Sequence, residues 1–496
     1  MPAPAPAAVA SRLTGLPCKP QSVGSIAPAP ALADEATARS SLFARPAASA
    51  DPHPLRVALV GTYAPLKCGI ATFTADVRTQ LARYHPEVTV DVHALAQPGS
   101  SIAYPGATGI VAGREPADYA LAARRINESC ADVVWIQHEF GIFGGPDGAY
   151  VCDLVEQIMA PVVLSLHTVL AAPAPEQEHI LRFLIGRASA IMVMSQHGRD
   201  LLVTRYGADP ATVRVIAHGA PDRPFGREDM FKARLGLAGR DVITTFGLIG
   251  PGKGLERMIE ALPAIVERHP QVLYRIIGAT HPNLVAHQGE AYREGIEALA
   301  QRLGVEDHIA WDNRFLDTDD LLDQLEATEI YVTPYPNLQQ STSGTLSYAV
   351  ALGKAVVSTP YLHARELLAD GAGVLVEPDS SEDLARAINA LLDDRALLME
   401  TRRRAYAVGR RTIWPEFAHA SADLVRSVVP PMEKSAPLPM SDLRAAAGHG
   451  LARRAIATKA PRFATKPAPT GAFRGDHSPA NKPLSPNLLS NRVADG

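Results

Sequence analysis

Short apolar runs alternate with longer amphipathic segments through the middle of the chain. In the first half, helical patterns such as ATFTADVRTQLARY separate the apolar runs LRVALVGTY, TVDVHAL, DVVWIQHE, PVVLSLHT, AIMVMS and VRVIAHG. Near-continuous apolar strands joined by helical crossovers are typical of a parallel sheet that is covered on both faces. The pattern therefore predicts a doubly wound α/β domain over residues 55–225.

The same alternation begins again after the polar, turn-rich segment PDRPFGREDMFKARLGLAGRD. Helical segments such as LERMIEALPAIVERH separate the strand-like runs VITTFG, VLYRIIGA, HIAWD, IYVTPY and AVVST. This predicts a second doubly wound domain over residues 226–410. Ligands of such sheets bind at the carboxyl ends of the strands, and two domains in tandem add a cleft between them. The predicted fold class is α/β, with two Rossmann-like domains facing a cleft.

Composition narrows the class of protein. The chain has 496 residues, 47% of them hydrophobic, and a formal net charge of -4, so it lacks the basic footprint of a nucleic-acid partner. Its four cysteines are far apart and form no C-x-x-C pair, which argues against a zinc knuckle or a disulfide framework. No apolar run is long enough to cross a bilayer, which leaves peripheral membrane contact open, and the N-terminus lacks a basic start and an apolar core. We expect a cytoplasmic protein whose Pro- and Ala-rich ends, 1–54 and 431–496, are disordered.

Three residues in the first domain fall where predicted strands end. Gly69 lies in the loop KCGIATFT, where a glycine lets a ligand approach the backbone closely. His138 and His167 end the strands DVVWIQHE and PVVLSLHT. Each has a plain alternative, a tight turn for the glycine and a structural role for either histidine. Two histidines at equivalent ends of parallel strands nevertheless indicate a shared site.

Two elements of the second domain suit a phosphate. The loop FGLIGPGKGLE places glycines and Lys253 just before a helix, although the Gly after Lys253 excludes a Walker loop. In QSTSGT, Ser343, Gly344 and Thr345 stand immediately before a helical segment, whose open N–H groups attract an anion. The alternative is that a hydroxyl simply caps that helix. Two such elements at strand ends of one domain predict a diphosphate site.

The order of these motifs resembles the retaining nucleotide-sugar glycosyltransferases of family 4, the glycosyl transferases group 1, which have the GT-B fold. The resemblance covers residues 55–427. DVVWIQHE and VVLSLHT resemble the family's two histidine-ended strands, and FGLIGPGKG resembles its G-R-x-x-x-x-K-G phosphate loop. The segment from Gln340 to Tyr348 resembles its E-x7-E region, and TIWPEFAHASADLV resembles the terminal helix, residues 411–430 here, that returns to the first domain.

Two departures from the family pattern concern the donor site. The family's diphosphate-binding Arg falls at Leu248, so Lys253 is the matching cation. The acids of the E-x7-E region fall at Gln340, which can hydrogen-bond a sugar, and at Tyr348, where the family's ribose-holding acid is absent.

The resemblance implies transfer of a sugar from a nucleoside-diphosphate sugar to a glycan, lipid-linked or small-molecule acceptor, with retention of configuration. It implies no cofactor besides the donor substrate and no metal. His167 and His138 would act on the transferring sugar, and Gly69, Lys253, Gln340, Ser343, Gly344 and Thr345 would bind the donor. A sugar-nucleotide epimerase of the same fold and a non-catalytic nucleotide- or sugar-binding protein remain open. Asp317-Thr318-Asp319 spells a metal-binding D-x-D, but acids in the first turn of a helix explain it better.

Overall fold

The computed structural model describes residues 54–97 and 101–430, so the two predicted tails, apart from residue 54, lie outside the described residues. Within them are two parallel sheets flanked by helices, which confirms the predicted fold class.

The first sheet contains seven parallel strands in the order β3-β2-β1-β4-β5-β6-β7. Its strands are β1 (Leu55–Gly61), β2 (Val88–Leu95), β3 (Gly109–Val111), β4 (Val133–His138), β5 (Val162–Leu166), β6 (Ala190–Val193) and β7 (Val213–Val215). Five longer helices accompany them: α1 (Gly69–Tyr84), α2 (Pro116–Glu128), α3 (Val151–Gln157), α4 (Pro175–Arg187) and α5 (Gln196–Thr204).

Both faces of this sheet are covered, as the apolar strands require. Val57 and Leu59 of β1 belong to the apolar core that contains α1, whereas the intervening Ala58 and Val60 belong to the core that contains α2, α3 and α4. This alternation follows from the two-residue period of a strand. All six residues of β4 are buried, which explains why the strand begins with the apolar run VVWI.

The second sheet contains six parallel strands in the order β10-β9-β8-β11-β12-β13. Its strands are β8 (Asp241–Phe246), β9 (Val272–Ile277), β10 (Ile309–Asp312), β11 (Ile330–Thr333), β12 (Ala355–Ser358) and β13 (Gly373–Leu375). The remaining helices are α6 (Glu228–Arg234), α7 (Leu255–Val266), α8 (Pro282–Gln288), α9 (Ala291–Leu303), α10 (Thr318–Glu326), α11 (Gly344–Ala351), α12 (Leu362–Leu367), α13 (Ser381–Asp393), α14 (Arg395–Gly409) and α15 (Trp414–Ser427).

Each sheet has one topological switch point, where successive strands are added on opposite sides. These points lie between β1 and β4 in the first sheet and between β8 and β11 in the second. The loops that leave such neighbouring strands diverge at their carboxyl ends and open a crevice for a ligand. The loop with Lys253 follows β8, and the segment leading to Ser343 follows β11, so the topology places both at one crevice.

The last helix packs on the first sheet's core. The backbone bridge between Ala220 and Ile413 pairs the outgoing chain with the returning chain. A Cβ at Gly219 would lie 2.1 Å from Trp414, so only a glycine lets the two segments approach this closely. Farther along α15, the ring of Phe417 packs 5.4 Å from that of Phe73 on α1. The helix α15 therefore joins the second domain to the first domain.

Candidate active site

The loop after β8 holds Lys253 by a close backbone approach. The chain turns through Pro251–Lys253, and Gly254 adopts a φ of 62° before α7 begins. A Cβ on Gly254 would lie 2.0 Å from the carbonyl oxygen of Pro334, just after β11. Glycine is therefore required here, both for the positive φ and for the contact between the two loops. The contact brings Lys253 beside the residue that follows Pro334.

That residue, Tyr335, connects the two predicted phosphate elements. The Lys253 ammonium donates to the Tyr335 hydroxyl over 3.0 Å and lies 4.6 Å from the centre of its ring. The same hydroxyl is 2.9 Å from Thr345 Oγ1 in the first turn of α11. Burial raises the pKa of Tyr335, but the charge and hydrogen bond of Lys253, together with the hydroxyls of Thr345 and Ser343, outweigh burial and leave that pKa below its ordinary value. The structure thus brings Lys253 and the α11 N-terminus together around one buried hydroxyl.

Ser343 is the N-cap of α11. Its hydroxyl accepts from the Leu346 N–H over 3.3 Å, so a side chain does cap the helix. Its own N–H donates to Nδ1 of His363, 2.9 Å away on α12. The N–H groups of Gly344 and Thr345 belong to the first turn, where a helix offers no backbone acceptor. Capping by Ser343 and anion binding by the next two residues are therefore compatible.

Gln340 bends back onto its own loop. Its side-chain amide donates to the carbonyl of Thr342 over 3.0 Å, and its backbone carbonyl accepts from the N–H of His363 over 3.2 Å. These bonds fix the loop that precedes α11. In this conformation, the amide nitrogen supports the backbone of the predicted donor site.

His138 lies inside the first domain. Its side chain is fully buried, and its ring stacks on Phe143 at 5.8 Å with an interplanar angle of 21°. Among the described residues, neither ring nitrogen has a hydrogen-bond partner. Burial lowers the pKa of His138 to about 3, so its imidazole is neutral at neutral pH. The structure thus gives the two histidines different surroundings, because His167 is only partly buried.

His167 sits at the carboxyl end of β5. Its Nε2 is 2.9 Å from Oε1 of Gln137, and its ring meets Phe73 edge-on at 5.2 Å. Burial, together with the nearby His218 and His138, lowers the pKa of His167 to about 3. A neutral imidazole can both donate and accept a hydrogen bond.

Gly69 is the first residue of α1, directly after the Cys68 N-cap. A Cβ placed on it would meet no described atom within 4 Å, so the space beside this helix start is open.

Two contacts across the domains involve residues of α11. A Cβ on Gly344 would lie 2.8 Å from Nε2 of His218, which follows β7 in the first domain. The Tyr348 hydroxyl donates to Oδ2 of Asp76 on α1 over 3.4 Å. Burial raises the pKa of Asp76 to about 6, while the bond from Tyr348 opposes that rise. Carboxyl groups whose pKa is raised this close to neutrality are found most often at functional sites.

A third contact across the domains involves Glu366 of α12. Its carboxylate accepts from the Gln196 N–H at the start of α5, over 2.8 Å. A carboxylate at a helix N-terminus is favourable, because it complements the helix dipole.

The D-x-D acids serve α10 and the protein surface. Asp317 is the N-cap of α10 and accepts from the Asp320 N–H over 2.9 Å. Asp319 pairs with Arg223 over 3.1 Å. In the part of the chain that the structure describes, no cluster of three or more His, Cys, Asp or Glu side chains is arranged to hold a metal ion. Over the same residues, no helix is both long and apolar enough to cross a membrane.

Comparison with protein families identifies the second domain. Residues 227–411 match the family model described as Glycosyl transferases group 1. The chain carries a Glycosyl transferases group 1 domain. This domain contains β8, α7, β11 and α11, and therefore the whole Lys253–Tyr335–Thr345 cluster.

Curated relatives bear the name of one activity. The chain is 30% identical over 249 residues to a D-inositol 3-phosphate glycosyltransferase of Streptomyces bingchenggensis. The match covers 49% of this chain and 53% of that protein. It is 32% identical over 232 residues to the protein of the same name from Geodermatophilus obscurus, covering 45% and 49%. The chain thus spans about half the length of the curated relatives it matches.

Solved structures resemble the chain over both domains. A sucrose-phosphate synthase from Thermosynechococcus elongatus superposes with a TM-score of 0.61 at 16% identity, covering 75% of this chain and 98% of that one. The Anabaena protein HepE, solved in complex with UDP, superposes with a TM-score of 0.56 at 19% identity, covering 75% and 99%. At these identities the likeness establishes the fold, which is that of the GT-B glycosyltransferases.

Sequence reasoning missed Tyr335, His218, Asp76 and His363 as members of this region. Tyr335 and His218 follow strands β11 and β7, and the strand-end criterion that singled out His138 and His167 applies to them as well. Asp76 and His363 lie within helices, and the sequence pattern does not show which partner they face. Their position depends on how the second domain contacts the first.

Proposed function

We propose that the protein is a glycosyltransferase that uses a nucleoside-diphosphate sugar. The observation that carries this proposal is the junction of Lys253, Tyr335 and the first turn of α11 at the switch point of the second sheet. A cation, a buried hydroxyl and two first-turn N–H groups are suited to a diphosphate. The family match of residues 227–411 supports the same assignment.

In the proposed reaction the diphosphate is the leaving group. Negative charge increases on its outer phosphate as the bond to the sugar breaks, and Lys253 with the Gly344 and Thr345 N–H groups stabilises that charge. His167 would contact the transferring sugar from the first domain, and the open space beside Gly69 would admit the phosphate edge of the donor or the acceptor. Retention of configuration and independence from metal ions belong to this proposal through the family resemblance. His138 is buried, so we assign it a supporting place behind His167.

We propose a glycan, lipid-linked or small-molecule acceptor, and a polyol phosphate is the first to test because curated relatives are named for D-inositol 3-phosphate. A non-catalytic binding protein is the second candidate. It is favoured by Leu248 and Tyr348, where the family's cation and ribose-holding acid are missing.

A nucleotide-sugar panel tests the proposal. The full chain is screened by thermal stabilisation against UDP-, GDP- and ADP-sugars, and the selected donor is incubated with D-inositol 3-phosphate and with a panel of glycan, lipid-linked and small-molecule acceptors. Release of the nucleoside diphosphate together with a glycosylated product supports the transferase. Interconversion of the free donor would identify an epimerase, and stabilisation without turnover would identify a binding protein. Failure of every nucleotide sugar to bind would contradict the proposal.

A further inference from the structure

His218 presents an unprotonated nitrogen to the start of α11. Its Nδ1 lies 2.8 Å from the carbonyl oxygen of Gly219. A carbonyl can only accept, so Nδ1 carries the hydrogen, and in a neutral imidazole Nε2 is then a bare acceptor. That Nε2 faces Gly344, where a built Cβ would lie only 2.8 Å away. An acceptor therefore stands beside N–H groups that are suited to an anion.

The ring of His218 is held in this orientation by its neighbours. Phe73 of α1 lies 4.8 Å away, centroid to centroid, and Trp414 of α15 lies 6.3 Å away. The bond from Nδ1 to Gly219 fixes the remaining rotation. A diphosphate at the α11 start would consequently meet the Nε2 lone pair, and the two would repel each other unless Nε2 gained a proton.

The titratable groups around His218 come from four elements. His167 follows the end of β5, His363 lies on α12, and Tyr348 lies on α11 with its ring 6.4 Å away. Asp76 of α1 stands behind Tyr348, to which it is hydrogen-bonded. His363 cannot take a proton on Nδ1 without losing its bond from the Ser343 N–H. Burial lowers the pKa of His218 to about 4, so the free protein at neutral pH has this ring uncharged and able to take up a proton.

We propose that His218 takes up one proton when a nucleoside-diphosphate sugar binds at the start of α11, and that its Nε2–H then donates to the diphosphate. This inference rests on the proposed function. It gives the site a second positive charge beside that of Lys253, supplied from the first domain. Donor affinity is then greatest at low pH and falls as pH rises through the pKa of His218 in the complex, by at most about tenfold per pH unit for one proton.

Calorimetry tests this inference through proton uptake. UDP-glucose and GDP-mannose are titrated into the full chain at pH 6, in buffers of different ionisation enthalpy; the diphosphate diesters of both probes do not titrate near this pH. We expect net proton uptake by the wild type. In His218→Gln the uptake disappears, affinity at pH 6 falls roughly tenfold, and affinity changes little between pH 6 and 8.

Three controls distinguish the source of the proton. Asp76→Asn removes the nearby carboxyl as an alternative proton acceptor, and we expect its uptake to match the wild type. His287→Gln changes an exposed histidine on α8 and leaves uptake unchanged. If His218→Gln does not fold, NMR of the wild type with ¹⁵N-labelled histidine reports whether one ring becomes doubly protonated on binding.

The outcomes separate this inference from the proposed function. Binding without proton uptake, uptake that persists in His218→Gln, or uptake lost in Asp76→Asn would overturn the role of His218 and leave the transferase proposal standing. Failure of the wild type to bind any nucleotide sugar would overturn both.

Discussion

Replacing Lys253 by methionine removes the cation of the proposed diphosphate site while keeping most of its apolar stem. In the free protein this deletes one hydrogen bond to the Tyr335 hydroxyl and one contact with its ring. Each such interaction contributes on the order of 1 kcal/mol. Lys253 is partly exposed, so water compensates the groups left behind and we expect a small change in thermal stability.

The effect on donor binding is larger. A hydrogen bond to a charged group contributes roughly 1.5 to 3 kcal/mol, so its loss should raise the dissociation constant roughly 10- to 140-fold. The assay is isothermal titration calorimetry with the nucleotide sugar that the panel selects, paired with a thermal unfolding curve for each variant. The loss is also screened by salt, so the difference between wild type and variant shrinks as ionic strength rises.

Arg268→Met is the matched control. It makes the same change of charge in the same domain, but Arg268 pairs with Asp393 on the surface, at the end of α7 that precedes β9. We expect its donor affinity to equal that of the wild type. Unchanged affinity in Lys253→Met, or an equal loss in both variants, would refute the assignment of Lys253 to the diphosphate.

Three further predictions follow from the same geometry. Ser343→Ala should lower the free energy of unfolding by about 0.5 to 2 kcal/mol through loss of the N-cap. Gly344→Ala should mainly weaken donor binding, because its Cβ would displace the facing imidazole of His218. Melting and binding curves in which Ser343→Ala mainly weakens binding and Gly344→Ala mainly lowers stability would contradict this. EDTA should leave turnover unchanged, and Asp317→Asn combined with Asp319→Asn should alter stability alone; turnover lost and then restored by manganese would count against it. The pKa of His138 is about 3 in the folded chain and about 6.5 when unfolded, so unfolding takes up a proton between these pH values. The free energy of unfolding therefore falls with falling pH by up to about 1.4 kcal/mol per pH unit. His138→Phe should reduce that slope in acid denaturation, and an unchanged slope would show that His138 does not contribute to it.

The sequence predicted the fold because the strands of a parallel sheet are apolar on both faces. Every residue of runs such as VVWIQH and VITTF is buried, and the turns between such runs can be recognised in the sequence. The site elements were predictable for a related reason. Strand ends at a switch point are fixed by topology, so Lys253 and Ser343 were assigned to one crevice from their order in the chain.

Contacts between the domains were not predictable in this way. The approach of Nε2 of His218 to Gly344, and the bond between Asp76 and Tyr348, join residues more than 100 positions apart. Nothing in the local pattern of either segment encodes that pairing. The burial of His138 was not predictable either, because the sequence does not show whether the following loop covers a polar residue at a strand end.

A structure of the full chain with its bound donor would locate the diphosphate. We expect diphosphate oxygens within hydrogen-bond distance of the Gly344 and Thr345 N–H groups and of the Lys253 ammonium. A donor bound with its diphosphate elsewhere, and with Lys253 still directed only at Tyr335, would contradict this expectation.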